Sequence, residues 1–188
     1  NSYETKNAVA SATNQQLKNG TSSKTAFEIN EHFEYYGAHC SRSCHNETAI
    51  VSLHTLSKHL PELLPVIKEM ITDAIFPENE LAIFKQNSKQ KLSVNLKKCD
   101  FVANRLIDAY VFGENHPYGK YLRAEDYDAL TTEQLKAYFN QYYVNGNCVI
   151  FVAGKLPADL FKQLNEQFGK LSLQPHFTRI VPQQRMPA

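Results

Sequence analysis

The 188-residue sequence has no Cys-x-x-Cys pair; its four cysteines, Cys40, Cys44, Cys99 and Cys148, are scattered. That excludes a zinc ribbon and a thioredoxin-type redox centre. Cys40 and Cys44 share one face of an expected strand, yet at the usual rise they stand too far apart to bond to each other. Charge of one sign is also lacking. The formal net charge is +1, so the balance points to neither nucleic acid nor an anionic membrane as partner. No apolar run approaches the length of a spanning helix, and no signal-peptide pattern is visible. There is no internal repeat and no initiator Met; the polar opening Asn1-Ser2-Tyr3 reads as a mature form or a cut fragment. What is present is an ordinary globular composition, 43% hydrophobic and 21% charged, at a length that supports one substantial core.

The chain is organised around Lys6 to Gly37, read as helix, turn, helix. Residues 7–19 contain neither Pro nor Gly and end at Gly20-Thr21, where Gly20 suits the left-handed residue that follows a helix. Thr25-Ala-Phe-Glu28 has capping-box spacing and starts the second helix, with Ile29, Phe33 and Tyr36 inward and Gly37 as its stop. The period then switches to two. Ala38, Cys40, Arg42 and Cys44 fall on one face, His39, Ser41, Ser43 and His45 on the other, and 48–55 supplies a second strand to close a hairpin.

A helical stripe follows at Leu60, Leu63, Leu64, Ile67 and Ile71, with Pro61 and Pro65 tolerable only in first turns. A long helix from Glu80 carries Leu81, Phe84, Leu92 and Leu96, and continues or bends near Cys99-Asp100 before Gly113 ends it. Glu114 to Gly119 is a loop by its Pro and Gly. Thr131-Thr-Glu-Gln134 is a second capping box, opening a helix with Leu135, Phe139 and Tyr142 on one face. The apolar run Cys148 to Ala153 reads as a buried central strand, and 157–168 as a helix with Leu160, Leu164 and Phe168 inward. This makes 1–169 one α+β domain, a mostly antiparallel sheet with helices packed on one face. Residues 170–188, with three prolines and no periodicity, read as a linker or tail.

Leu17-Lys-Asn-Gly-Thr21, then a helix ending Tyr35-Tyr-Gly-Ala38, then Phe112-Gly-Glu-Asn-His-Pro-Tyr-Gly119 and Leu130-Thr-Thr-Glu-Gln-Leu135, resemble in order the pitrilysin/insulinase family of zinc peptidases. The resemblance covers roughly Glu4 to Gly169. It implies half of a peptidase unit, with a second similar half after the tail. It also implies strands before the first helix, which this chain lacks; their place is upstream in a longer precursor, or they were never built. Without them a sheet edge stays open and favours pairing with another chain.

In the family the first helix carries His-x-x-Glu-His just before the Gly-Thr pair, the histidines binding zinc and the Glu activating water. Aligned on Gly20-Thr21, those places hold Ser11, Asn14 and Gln15. The third ligand, a Glu on a long helix, falls in Lys91-Leu-Ser-Val-Asn-Leu96, which has no carboxylate. Neither amide titrates usefully as a base, and Ser11 has no neighbour at helix spacing to activate it. Other groupings are weaker. Glu28-Ile-Asn-Glu31-His32 has Glu28 where a His is needed and lies on the second helix, with adjacent Glu31 and His32 about 100° apart; His54 and His59 lack a third ligand, and His39 and His45 sit pleats apart.

The reading is therefore a non-catalytic peptidase-like domain with no catalytic, metal or cofactor residues of its own. Zinc belongs to a catalytic partner, whether a separate subunit or a second half-domain, and the pair encloses an unfolded peptide substrate. Two alternatives stay open: a structural or assembly subunit without peptide affinity, and an active zinc metalloendopeptidase with displaced ligands.

Overall fold

The computed structural model describes residues 8–114 and 116–171. Most of the tail, and the expected start of the first helix at Asn7, lie outside them. Helix α1, Val9–Gln16, occupies the centre of the fold. It is only eight residues long and is not an amphipathic surface helix. Val9, Ala10, Ala12, Thr13, Asn14 and Gln16 are all buried, so it is enclosed on nearly every side. Thr13 meets its own burial cost by donating its hydroxyl to the Val9 carbonyl one turn back, at 2.8 Å.

The chain leaves α1 through Leu17, fully buried, and reaches Gly20-Thr21. Gly20 does not cap the helix in the left-handed region as expected. It sits four residues beyond the end of α1 with φ 144° and forms a short bridge to Thr25. A Cβ at Gly20 would meet Ile75 Cγ1 at 3.1 Å, so glycine serves both the backbone angle and the close approach. Thr21 bridges to Ala74. Helix α2, Ala26–Tyr35, opens on the expected capping box, Thr25 with Glu28. It buries Ile29 and Phe33 and stops at Gly37, φ 58°.

Strands β1, His39–Cys44, and β2, Ala49–His54, form an antiparallel hairpin, the only sheet among the described residues. His39 stands opposite His54, Arg42 opposite Val51, and Cys44 opposite Ala49. Ala38, Cys40, Val51 and Leu53 join the core side. The predicted alternation of faces thus holds, with Arg42 on the inner face beside Cys40.

A 3-10 turn at Ser57–His59 leads into α3, Leu60–Thr72. This helix runs straight through Pro65 and buries Leu63, Leu64, Val66 and Met70. Helices α4, Glu78–Asn95, and α5, Cys99–Phe112, are separated by a break at Leu96–Lys98. A short helix α6, Ala124–Asp128, that the sequence did not announce precedes α7, Thr132–Phe139. Thr131 and Gln134 cap α7, which buries Leu135 and Phe139 and ends in a π-turn, Asn140–Val144. Helix α8, Leu160–Phe168, closes the described chain, with Leu160 buried. The α+β assignment stands, with more helix and less sheet than the pattern suggested.

One expectation fails here. Residues 148–153 do not form a buried central strand: they pair with nothing among the described residues, and Phe151 is 90% exposed. Continuous apolarity marks a strand only where partners flank it, and no neighbouring strand lies within the described residues.

Candidate functional site

Ser11, Asn14 and Gln15 stand at i, i+3 and i+4 of α1 and so share a face, with Lys18 one turn further on. Ser11 and Gln15 are half-buried and Asn14 is fully buried. This face looks toward β1 and the π-turn after α7. Asn14 Nδ2 donates to the Tyr143 hydroxyl at 3.1 Å, and Gln15 Nε2 donates to the Arg42 carbonyl at 3.1 Å. Both amides are thus engaged as donors. Among the described residues Asn14 Oδ1 is buried without a hydrogen-bond partner, as are Nε and Nη1 of Arg42.

The inner face of β1 supplies the other wall. Burial pushes the Cys40 thiol up, the charges of Arg42 and Lys18 opposing it. Burial lowers Lys18, with Arg42 acting the same way and Cys40 and Glu34 against it. Burial likewise lowers Arg42. Tyr143 is pushed well above the ordinary phenol range by burial, against the Asn14 hydrogen bond. The place is thus cationic and lined by neutral amides, a phenol and thiols.

Zinc does not fit these residues. Hydroxyl and amide groups replace imidazoles and a carboxylate, and both amide nitrogens are occupied, Gln15 by the backbone carbonyl of Arg42. The segment Lys91–Leu96 runs along the end of α4 with only Leu92 buried. No group of three or more His, Cys, Asp or Glu among the described residues could hold a metal. His32 spends its Nε2 on the Glu62 carbonyl at 3.0 Å and packs edge-on to Tyr36. His39 and His54 face each other across the hairpin with ring centroids 6.2 Å apart.

The Gly-Thr turn is fixed by polar contacts rather than by chemistry. Thr21 Oγ1 donates to Glu69 Oε1 at 2.5 Å, Ser23 donates to the same oxygen, and Lys24 Nζ pairs with Glu69 Oε2 at 2.6 Å. Burial opposes ionisation of Glu69, but the bonds from Lys24, Ser23 and Thr21 and the Lys24 charge hold it down to about 2. In the other motif, Phe112 stacks on His116 and meets Tyr118 edge-on, an aromatic plug as expected. The Tyr118 hydroxyl donates to Glu47 at the hairpin turn. Sequence reasoning missed Tyr143 and Arg42 as site residues. Arg42 was detectable as the one long cation on the inward face of β1; Tyr143 had no local signal.

Residues 129–187 match the model of the peptidase M16 inactive domain. An uncharacterized zinc protease of Bacillus subtilis, YmxG, is 27% identical over 152 residues, 80% of this chain and 37% of its own length. The motif His-x-x-Glu-His occurs nowhere in the sequence. The chain is similar to peptidase M16 proteins over most of its length and does not carry that motif. An M16 inactive domain from Pseudomonas fluorescens has 25% identity and a TM-score of 0.63 over 68% of this chain and 32% of that one. The periplasmic protease PqqL of Escherichia coli shares the fold, with a TM-score of 0.82 at 15% identity over 97% of this chain and 21% of that one. The chain spans about a third of the length of the curated relatives it matches. The description of that matched model, an inactive domain, agrees with a non-catalytic, peptidase-like reading of residues 129–187. No helix among the described residues is long and apolar enough to cross a membrane.

Proposed function

We propose that this chain is a non-catalytic, M16-like body that pairs with a zinc-bearing peptidase subunit or half-domain and helps enclose and hold an unfolded peptide. Ser11, Asn14 and Gln15 stand where that partner's chemistry would otherwise be duplicated. The observation that supports peptide holding is the hydrogen-bond phase of β1. His45 N donates to the Thr48 carbonyl at 2.8 Å across the turn, which makes that pair hydrogen-bonded. Alternation along the register then leaves Cys40, Arg42 and Cys44 in non-bonded pairs, with their backbone N–H and C=O directed away from β2. Gln15 already donates to one of these, the Arg42 carbonyl. An extended peptide can add to such an edge through its own backbone, with little demand on sequence.

The test uses the full chain and a fluorescein-labelled, reduced and alkylated peptide of about 20 residues. Bound zinc is measured after dialysis, together with anisotropy and cleavage of the peptide. The expected result is saturable binding without cleavage and without stoichiometric zinc. Stoichiometric zinc with hydrolysis would show a working peptidase. Absence of any peptide affinity, alone and in the complex purified from the source cell, would show an assembly subunit.

A further inference from the structure

Arg42 is the least satisfied charged group on the inner face of the hairpin. Its Nε and Nη1 are shielded from solvent and have no hydrogen-bond partner among the described residues. No ion pair among those residues includes it. Burying guanidinium nitrogens without a hydrogen-bond partner or counter-charge is unfavourable, so such an arrangement is retained only where something compensates it. Lys18 adds a second cation on the same side, its Nζ drawn over the Phe33 ring at 5.0 Å. Arg42 also belongs to the edge just described: its carbonyl points outward and is held by the neutral side chain of Gln15.

We propose that Arg42, supported by Lys18, is a carboxylate-binding site that selects an acidic residue, or a terminal carboxylate, in the peptide held along β1. This rests on the peptide-holding reading and names the chemistry it prefers. A strand added to β1 lies about 4.8 Å away and places one side chain directly opposite Arg42, with Cβ atoms about 5 Å apart. An Asp or Glu there reaches one of the vacant donors, Nε or Nη1, through a charge-assisted hydrogen bond. Gln15 acts as placeholder: it releases the Arg42 carbonyl when the peptide N–H arrives.

Three blocked, fluorescein-labelled octapeptides test this on the full chain: one with a central glutamate, its glutamine counterpart, and the glutamine peptide with a free C-terminal carboxylate. The glutamate peptide is expected to bind at least about tenfold more tightly than the glutamine peptide, on the scale of one charge-assisted pair. In R42Q the two should bind alike, and R42K should restore part of the difference. Tighter binding of the free-acid peptide alone assigns the site to a chain terminus. Equal affinity of all three for the native chain, or a preference that survives in R42Q, overturns the Arg42 assignment while leaving peptide holding intact. If none of the three binds, both readings fall. Circular dichroism of R42Q and R42K confirms that each variant is folded.

Discussion

Asn14 and Tyr143 meet across 129 residues of sequence: the buried amide donates to the phenol hydroxyl at 3.1 Å. The bond joins the central helix to the end of α7, so it ties the two faces of the candidate site together. Removing the hydroxyl in Y143F leaves Asn14 wholly buried with neither amide atom paired. The expected cost is about 1–3 kcal/mol, because an orphaned buried polar group forfeits its full desolvation energy. N14L, which removes the polar group as well, should lose less when combined with Y143F than the two single losses added. A double-mutant cycle by urea unfolding should show a coupling of about 1 kcal/mol; additive losses would mean the pair contributes nothing.

Local signals explain which parts of this fold could be read beforehand. Thr25 and Glu28, Thr131 and Gln134, the stop at Gly37 and the two faces of the hairpin all follow from interactions within a few residues. Each was placed correctly. The break at Leu96–Lys98 fell where a bend was expected. Tyr143 was missed because its partner lies 129 residues away and no local spacing encodes it. The run at 148–153 was misread because apolarity reports a demand for burial, not its fulfilment; the strand pairs that would meet it are absent from the described residues. At the candidate site, the chemical loss was legible from residue identity alone. The cationic character was not, since it depends on Arg42 packing against α1.

Glu69 anchors the Gly-Thr turn to α3, and its carboxyl is held at about 2 against an ordinary 4.5. A depressed carboxyl stabilises the fold fully above its unfolded value and loses that contribution as pH falls toward the folded one. The window is therefore pH 5 to 2. A shift of this size sets an upper bound on the order of 3 kcal/mol, and the partial exposure of Lys24 reduces it to about 1–2 kcal/mol. Thermal melts should show the native chain losing stability steeply across that window. E69Q should start lower at pH 7 and lose less on acidification. Parallel pH profiles for the two proteins would contradict the assignment.

Phe151 distinguishes the structure from the simpler pattern reading. Were 148–153 a buried central strand, F151S would cost about 3–5 kcal/mol. With the ring 90% exposed, the change should fall within about 0.5 kcal/mol of the native chain. Chemical denaturation of the full chain, at a concentration low enough to keep it monomeric, makes the comparison directly.

The missing metal chemistry can be approached from the other direction. S11H/N14E/Q15H rebuilds imidazole, carboxylate and imidazole on one face of α1 at the spacing an inverted zincin uses. Three features oppose zinc there. The third protein ligand is absent, since Lys91–Leu96 on α4 offers no carboxylate. The glutamate replacing Asn14 would be buried against Tyr143, whose hydroxyl is already hard to ionise. Arg42 on the inner face of β1 and Lys18 one turn beyond position 15, close enough for their charges to act on each other, add two cations that repel a dication. Equilibrium dialysis should therefore find no stoichiometric zinc in the triple variant at about 1 μM free metal, well short of a structural zinc site. Adding R42Q removes one of these two cations and should tighten zinc binding at least about tenfold, or about 1.4 kcal/mol. Full zinc occupancy in the triple variant with Arg42 intact would mean that the cation does not face the old ligand positions, and the account of this site as electropositive would fail with it.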